Sequence, residues 1–254
     1  MNFNCDEIKC ISLVERTDKR ELISKDMEKS GIQFTFFDAI RDKGNPSKGC
    51  FKSHIQVITN AYNNGVNRLM VFEDDVQPAI TPSDEDIKEI NDFLDSNDDW
   101  EIFFIECCPM ILFTRVHRQK EYKNIYKGKF IGAGMYIMNR KAMAKYQGIE
   151  WGGKHKVIDR DLTVENKNAY ARLPRLFKQR IIANDLYYGI NFGGIKTPSV
   201  TKAPYSLRIR EGLTDTKIWY ARKINIPLIF VIIVGIFLLI VIVVSLYRKI
   251  KAPT

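Results

Sequence analysis

The chain has 254 residues, 45% of them hydrophobic and 27% charged, with a formal net charge of +9. Setting aside an apolar stretch near its end, about 205 residues remain, enough for one well-cored domain and too apolar for a disordered chain. The basic balance suits an anionic partner; with no helix-turn-helix, zinc-finger or aromatic RNA-binding signature, nucleic acid is excluded from the expected partners.

Taken in chain order, strands and helices alternate. Lys9–Leu13 reads as a strand, Asp18–Ser30 as an exposed helix closed by Gly31, and Gln33–Phe37 as a second strand. Ser47–Asn63 places Phe51, His54, Ile55, Ile58, Ala61 and Tyr62 on one helical face and stops at Gly65. Leu69–Phe72 is an apolar run too short for a helix, so it predicts a buried strand. A helix over Ile87–Leu94, a strand over Glu101–Ile105, an irregular basic stretch, a strand over Lys129–Met138 and a helix over Arg140–Tyr146 follow. This alternation predicts an α/β domain with a mostly parallel central sheet covered on both faces.

The strand at Leu69 runs directly into Glu73-Asp74-Asp75. Clustered carboxylates at a buried strand end repel one another and call for a counter-charge, and hard oxygen donors suit Mn²⁺ or Mg²⁺. Alternation along a strand puts Glu73 and Asp75 on one face, as metal ligands, and turns Asp74 elsewhere. A strand followed by a solvated acidic turn is the plain alternative. Five cysteines, Cys5, Cys10, Cys50, Cys107 and Cys108, match no zinc spacing, so free thiols in a reducing compartment are expected.

Residues 228–244 read LIFVIIVGIFLLIVIVV. With about 20 residues needed to cross a hydrocarbon core, 226–247 predicts one C-terminal transmembrane helix, favoured by about 5–10 kcal/mol. Residues 206–225 read as a basic juxtamembrane connector and 248–254 as a short basic tail. The N-terminal MNFNCDEIKCISL has acids before its apolar run and no small-residue cleavage site, so it is not a secretory signal. A tail-anchored protein is expected, its main domain facing the cytosol from a host or viral membrane.

Four blocks carry a family resemblance across about residues 8–185. Ser12-Leu-Val-Glu-Arg-Thr-Asp-Lys-Arg20, Gly49-Cys-Phe-Lys-Ser-His54, Glu73-Asp-Asp-Val76 and Gly134-Met-Tyr-Ile-Met-Asn-Arg-Lys-Ala142 resemble glycosyltransferase family 25, the lipopolysaccharide-type and procollagen galactosyltransferases. Asp159-Arg-Asp-Leu162 follows in the place of the family's later acidic block. Ser12 stands where the family usually has asparagine, residues 105–130 are unusually basic, and the chain after about 185 has no counterpart in the bacterial members.

The resemblance implies a GT-A-like nucleotide-sugar-binding domain, residues 1–205, that uses a UDP-sugar and Mn²⁺ and inverts the anomeric centre. It implies Glu73 and Asp75 at the metal and Asp159 or Asp161 as the base for an acceptor hydroxyl on a glycan, lipid or protein. Arg16, Arg20, Ser53, His54 and Asp74 are the implied donor-site residues, Asp74 toward the ribose. From the residues alone, Arg16 and Arg20 are equally solvated charges at a helix start, His54 reads as a hydrogen-bonded core histidine, and His155 and His117 have no motif behind them. The other functions open to the sequence are a catalytically weak glycan or nucleotide-sugar binding module and a membrane interaction protein.

Overall fold

The computed structural model describes residues 2–110, 114–180, 205–224 and 226–251, with side chains in the last two segments from 213 to 224 and from 226 to 244. The end of the expected main domain (181–204) and of the tail (252–254) lie outside the described residues. Ten strands are present among the described residues: β1 Glu7–Ser12, β2 Thr35–Asp38, β3 Arg68–Glu73, β4 Val76–Pro78, β5 Ile102–Pro109, β6 His117–Arg118, β7 Ile125–Lys127, β8 Phe130–Asn139, β9 Ala169–Arg172 and β10 Phe177–Gln179. Between them lie α1 Thr17–Lys29, α2 Pro46–Asn63, α3 Asp84–Ser96, α4 Arg140–Ala144 and α5 Ile158–Glu165, followed by α6 Tyr205–Lys223 and α7 Leu228–Lys251.

Eight strands form one sheet in the order β2-β1-β3-β8-β5-β9-β7-β6, and β10 pairs with β4 in a separate ribbon. The pairings make six of the eight strands run one way and reverse only β7 and β8. The sheet is therefore mixed and mostly parallel, as the alternating pattern predicts. Leu69, Met70, Val71 and Phe72 of β3 are all fully buried, because this central strand is covered on both faces. Each such side chain contributes about 1.5–3 kcal/mol.

One apolar cluster packs α2, α4 and α5 on one face of the sheet, through Phe51, Ile58, Tyr136, Met143 and Leu162. A second packs α1 and α3 on the other, through Ile23, Met27, Ile90, Phe93 and Phe103. Local signals set the helix starts. Asn45 caps α2, accepting from the Lys48 amide 3.1 Å away, with Pro46 in the first turn, and Ser83 and Asp86 form a capping box on α3. Gly31 and Gly65 take positive φ where α1 and α2 end.

Three expectations change. Residues 125–127, in the stretch expected to be irregular, and 169–172, for which the sequence suggests no element, are strands completing the sheet beyond β5. The expected connector is helix α6, whose Ile218 and Ala221 are buried in the first core cluster. Among the described residues no single helix is long and apolar enough to cross a membrane; Leu213–Lys223 and Leu228–Val244 pass that test only together, bent by 89°.

Candidate functional site

The carboxyl ends of β1, β3 and β5 meet at one edge of the sheet, and β8, running the other way, delivers its first residues there. A cavity of about 740 Å³ opens at this edge. Ligands in open α/β sheets settle at such an edge because the loops, not the strands, supply the side chains. Ser12 from β1, Glu73-Asp74-Asp75 from β3, and Glu106 and Cys108 from β5 line it. Ile131, Gly132 and Ala133 from β8, Asp159 from α5, and Leu213, Thr214 and Lys217 from α6 close it. Arg41, Lys43 and Lys156 complete the wall with positive charge.

Each of the first two acids is held by its own partners. β3 ends at Glu73 and Asp74-Asp75 form a turn before β4, so the alternation expected to align Glu73 with Asp75 stops one residue short. Glu73 Oε1 lies 3.2 Å from His54 Nε2 and 3.6 Å from Cys50 Sγ. A carboxylate only accepts, so His54 carries its hydrogen on Nε2; in the neutral ring Nδ1 then accepts from the Tyr136 hydroxyl, 2.9 Å away. Burial alone would raise the Glu73 pKa, but the His54 and Cys50 hydrogen bonds and the Lys19 charge bring it below the ordinary carboxylate value.

Burial, reinforced by the Glu73 charge, pushes the Cys50 and Tyr136 groups well up, leaving a neutral thiol and phenol. The sulfur, the imidazole nitrogen and the carboxylate oxygen lie within 4.8 Å of one another, close enough for a shared ion. The hydrogen bonds already occupy all three.

Asp74 accepts from Ser12 Oγ at 2.7 Å and from the buried Lys19 Nζ at 3.2 Å. Its pKa is nonetheless raised, because burial outweighs the Lys19 charge. The carboxylate expected to face a ribose is thus held by the start of α1 at the cavity wall. Asp75 is buried at 5% exposure in the same wall.

The two candidate bases separate. Asp159 lines the cavity, whereas Asp161 turns to His155, its Oδ2 2.9 Å from Nδ1, and is not in the lining. This also places His155 with Asp161 rather than with the β3 acids. Arg16 and Arg20 do not line the cavity. Arg16 grips Asp18 with two bonds of 2.8–2.9 Å, and Arg20 donates to the Ser12 carbonyl and to Asp38 while stacking on Phe36. In each, a nearby carboxylate takes part of the guanidinium, at the start of α1 and outside the cavity lining.

Ser53 lines the cavity but acts as a clip. Its hydroxyl accepts from the Ile40 amide and donates to the Gly49 carbonyl, both at 2.8 Å. Gly49 is needed there, since a Cβ would lie 2.5 Å from the Ile40 carbonyl. His54, fully buried, reaches the site only through Glu73. His117 sits exposed on the edge strand β6.

Glu106 is the site residue that sequence reasoning misses. It is buried, lines the cavity and faces Arg175 at 3.4 Å, and Arg175 also donates to Asp215 of α6 at 2.9 Å. The available signal was Gly132 and Gly134 on the neighbouring strand. A Cβ at Gly134 would lie 2.7 Å from the Glu106 carboxylate, so these glycines make its berth.

No family model matches the chain. A Haemophilus influenzae protein, named only provisionally as a glycosyltransferase, is 28% identical over 159 residues; the match takes in 54% of either chain, so this chain spans about half of that relative's length. Among solved structures, a glycosyltransferase involved in the glycosylation of the major capsid of PBCV-1 is 12% identical, covering 68% of this chain and 92% of that one, with a TM-score of 0.41. A197 from STIV is 13% identical, covering 65% and 80%, at 0.40. UDP-glucose pyrophosphorylase complexed with UDP-glucose is 9% identical, covering 68% and 74%, at 0.39.

Proposed function

We propose that this chain is a glycosyltransferase that moves a hexose from a UDP-sugar to a hydroxyl of a glycan, lipid or protein acceptor. The observation that carries the reading is the convergence of Glu73, Asp74 and Asp75 with Asp159 around one cavity at the carboxyl end of the central strand. The sequence relative named as a glycosyltransferase and the four family-25-like blocks support the same class.

The donor set fits a divalent cation. Six carboxylates, Asp42, Glu73, Asp74, Asp75, Glu106 and Asp159, line the cavity, and hard oxygen donors of this kind suit Mn²⁺ or Mg²⁺. Glu73 and Asp75, the pair that the resemblance implies at the metal, would hold it from the end of β3 and the turn that follows. Such an ion supplies charge neutralisation of the leaving diphosphate. Lys156 and Lys217, in the same lining, reinforce that neutralisation.

In the inverting reaction the acceptor oxygen attacks the anomeric carbon as the bond to the diphosphate oxygen breaks. The acceptor proton passes to Asp159, and UDP departs with the bonding electron pair. Cys50, half-buried in the lining, is held as a neutral thiol because burial pushes its pKa well up.

The chain reads further as held at a membrane by the apolar surface of α7, with the site facing the cytosol where UDP-sugars are made. Support comes from side chains such as Phe230, Phe237 and Leu239, which are 56–64% exposed on a helix that is apolar all round. The test is UDP release by the full chain in detergent, screened across UDP-sugars with and without Mn²⁺. Metal-dependent release from one donor, lost in Asp75→Ala, identifies the enzyme. No release from any donor, together with no thermal stabilisation by UDP plus Mn²⁺, overturns the reading.

A further inference from the structure

Helix α6 has two faces with different tasks. Thr214, Ile218 and Ala221, spaced four and three apart, are buried against the domain. The outward face carries Trp219, 57% exposed, with the exposed Arg222 and Lys223 three and four residues further on. The flanking sequence says what lies beside this face: α6 stops at Lys223, and four residues on Pro227 leads into the apolar α7, which begins at Leu228. Tryptophan with apolar neighbours and lysine or arginine is the composition that settles at the boundary between headgroups and acyl chains.

We propose that the outward face of α6 docks on the headgroup region of an anionic bilayer, between the domain and the membrane. This rests on the reading of α7 as an anchor and goes beyond it, because α6 is also a wall of the cavity through Leu213, Thr214 and Lys217. Six residues of helix follow Lys217 before the break, a rise of about 9 Å. The cavity therefore opens within reach of the bilayer surface, and its acceptor is one that the surface presents. Arg175, which joins Asp215 of α6 to Glu106 in the cavity, ties the docked helix to the site.

Tryptophan emission tests this, because α7 contains no tryptophan and Trp219 is the most exposed of the three in the chain, Trp100 being buried and Trp151 half-buried. The full chain is reconstituted into vesicles of phosphatidylglycerol and phosphatidylcholine brominated near the headgroup, beside Trp219→Phe. Expected is a loss of emission relative to unbrominated vesicles that Trp219→Phe does not show, with Trp219 shielded from aqueous iodide. Flotation with the vesicles separates the two readings. A chain that floats while Trp219 stays open to iodide and untouched by bromine keeps its anchor and overturns the docking. A chain that does not float overturns the anchor itself. Shielding that appears equally in detergent and grows with protein concentration assigns the face to a second copy and overturns the proposal as well.

Discussion

The two walls of the cavity are built on opposite principles. On the β3 wall, Glu73 and Asp74 arrive on a fully buried strand and are fixed by hydrogen bonds to His54, Cys50, Ser12 and Lys19. On the facing wall, Asp159, Lys156 and Lys217 come from a short helix, a loop and α6, with Lys156 and Lys217 exposed. A wall whose charges are held in place suits a fixed charge such as a metal–diphosphate. A wall of longer, solvated side chains suits a partner that must come and go.

The contrast is broken most directly at its two reactive carboxylates. Asp75→Ala on the fixed wall is expected to lower turnover by about 10³-fold, the worth of several kcal/mol of charge stabilisation, and to abolish dependence on added Mn²⁺. Asp159→Asn on the facing wall is expected to cost about 10²–10⁴-fold in kcat while leaving the affinity for UDP, read by calorimetry, unchanged. Asp161→Asn is its control, because that carboxylate faces His155. Turnover in Asp161→Asn falling as far as in Asp159→Asn would move the base.

Between the walls sits the Glu106–Arg175 pair, and it sharpens the comparison through stability. Arg175 is buried at 2% side-chain exposure, so Arg175→Met leaves the Glu106 charge in a poorly solvated pocket. Losing one partner of a buried pair costs about 3 kcal/mol, roughly 6–12 °C in Tm for a domain of this size. The double variant Glu106→Gln/Arg175→Met is expected to recover part of it. Equal Tm values for the single and double variants would show that the two charges do not depend on each other.

The same division explains what the sequence discloses. The β3 wall is legible because short-range rules make it: an apolar run too short for a helix ends in three acids, and Ser53 and His54 follow Gly49 at helical spacing. The placement of Glu73 against His54 is not local; nineteen residues and a strand crossing separate them. Arg16 and Arg20 look free in the sequence, and a carboxylate two residues away on Asp18 and another on β2 at Asp38 take them up. Glu106 is hidden because an acid at the end of an apolar strand reads as a surface residue until the neighbouring glycines are set beside it. Lys156 sits between Lys154 and Arg160 with no motif around it, so nothing in the sequence singles it out.

The smallest expected effect tests whether the β3 wall is fixed by charge or by shape. Glu73 has its folded pKa below the ordinary 4.5, burial opposing and the His54 and Cys50 hydrogen bonds prevailing. Stability linked to such a depressed pKa is fully present above the unfolded value and is lost as pH falls through the folded one. Glu73→Gln keeps an acceptor for His54 but cannot titrate, so its unfolding curve should lose part of its acid slope below about pH 4.5 and show little change near neutrality. The opposite outcome, an unaltered acid limb with a lower Tm at all pH values, would mean that the side chain acts there by packing. Asp74, pushed the other way by burial, contributes stability when protonated that disappears as pH rises through its raised pKa. Asp74→Asn should therefore gain stability at neutral pH relative to acid, and the two variants together separate a wall held by ion pairing from one that holds charge at a cost.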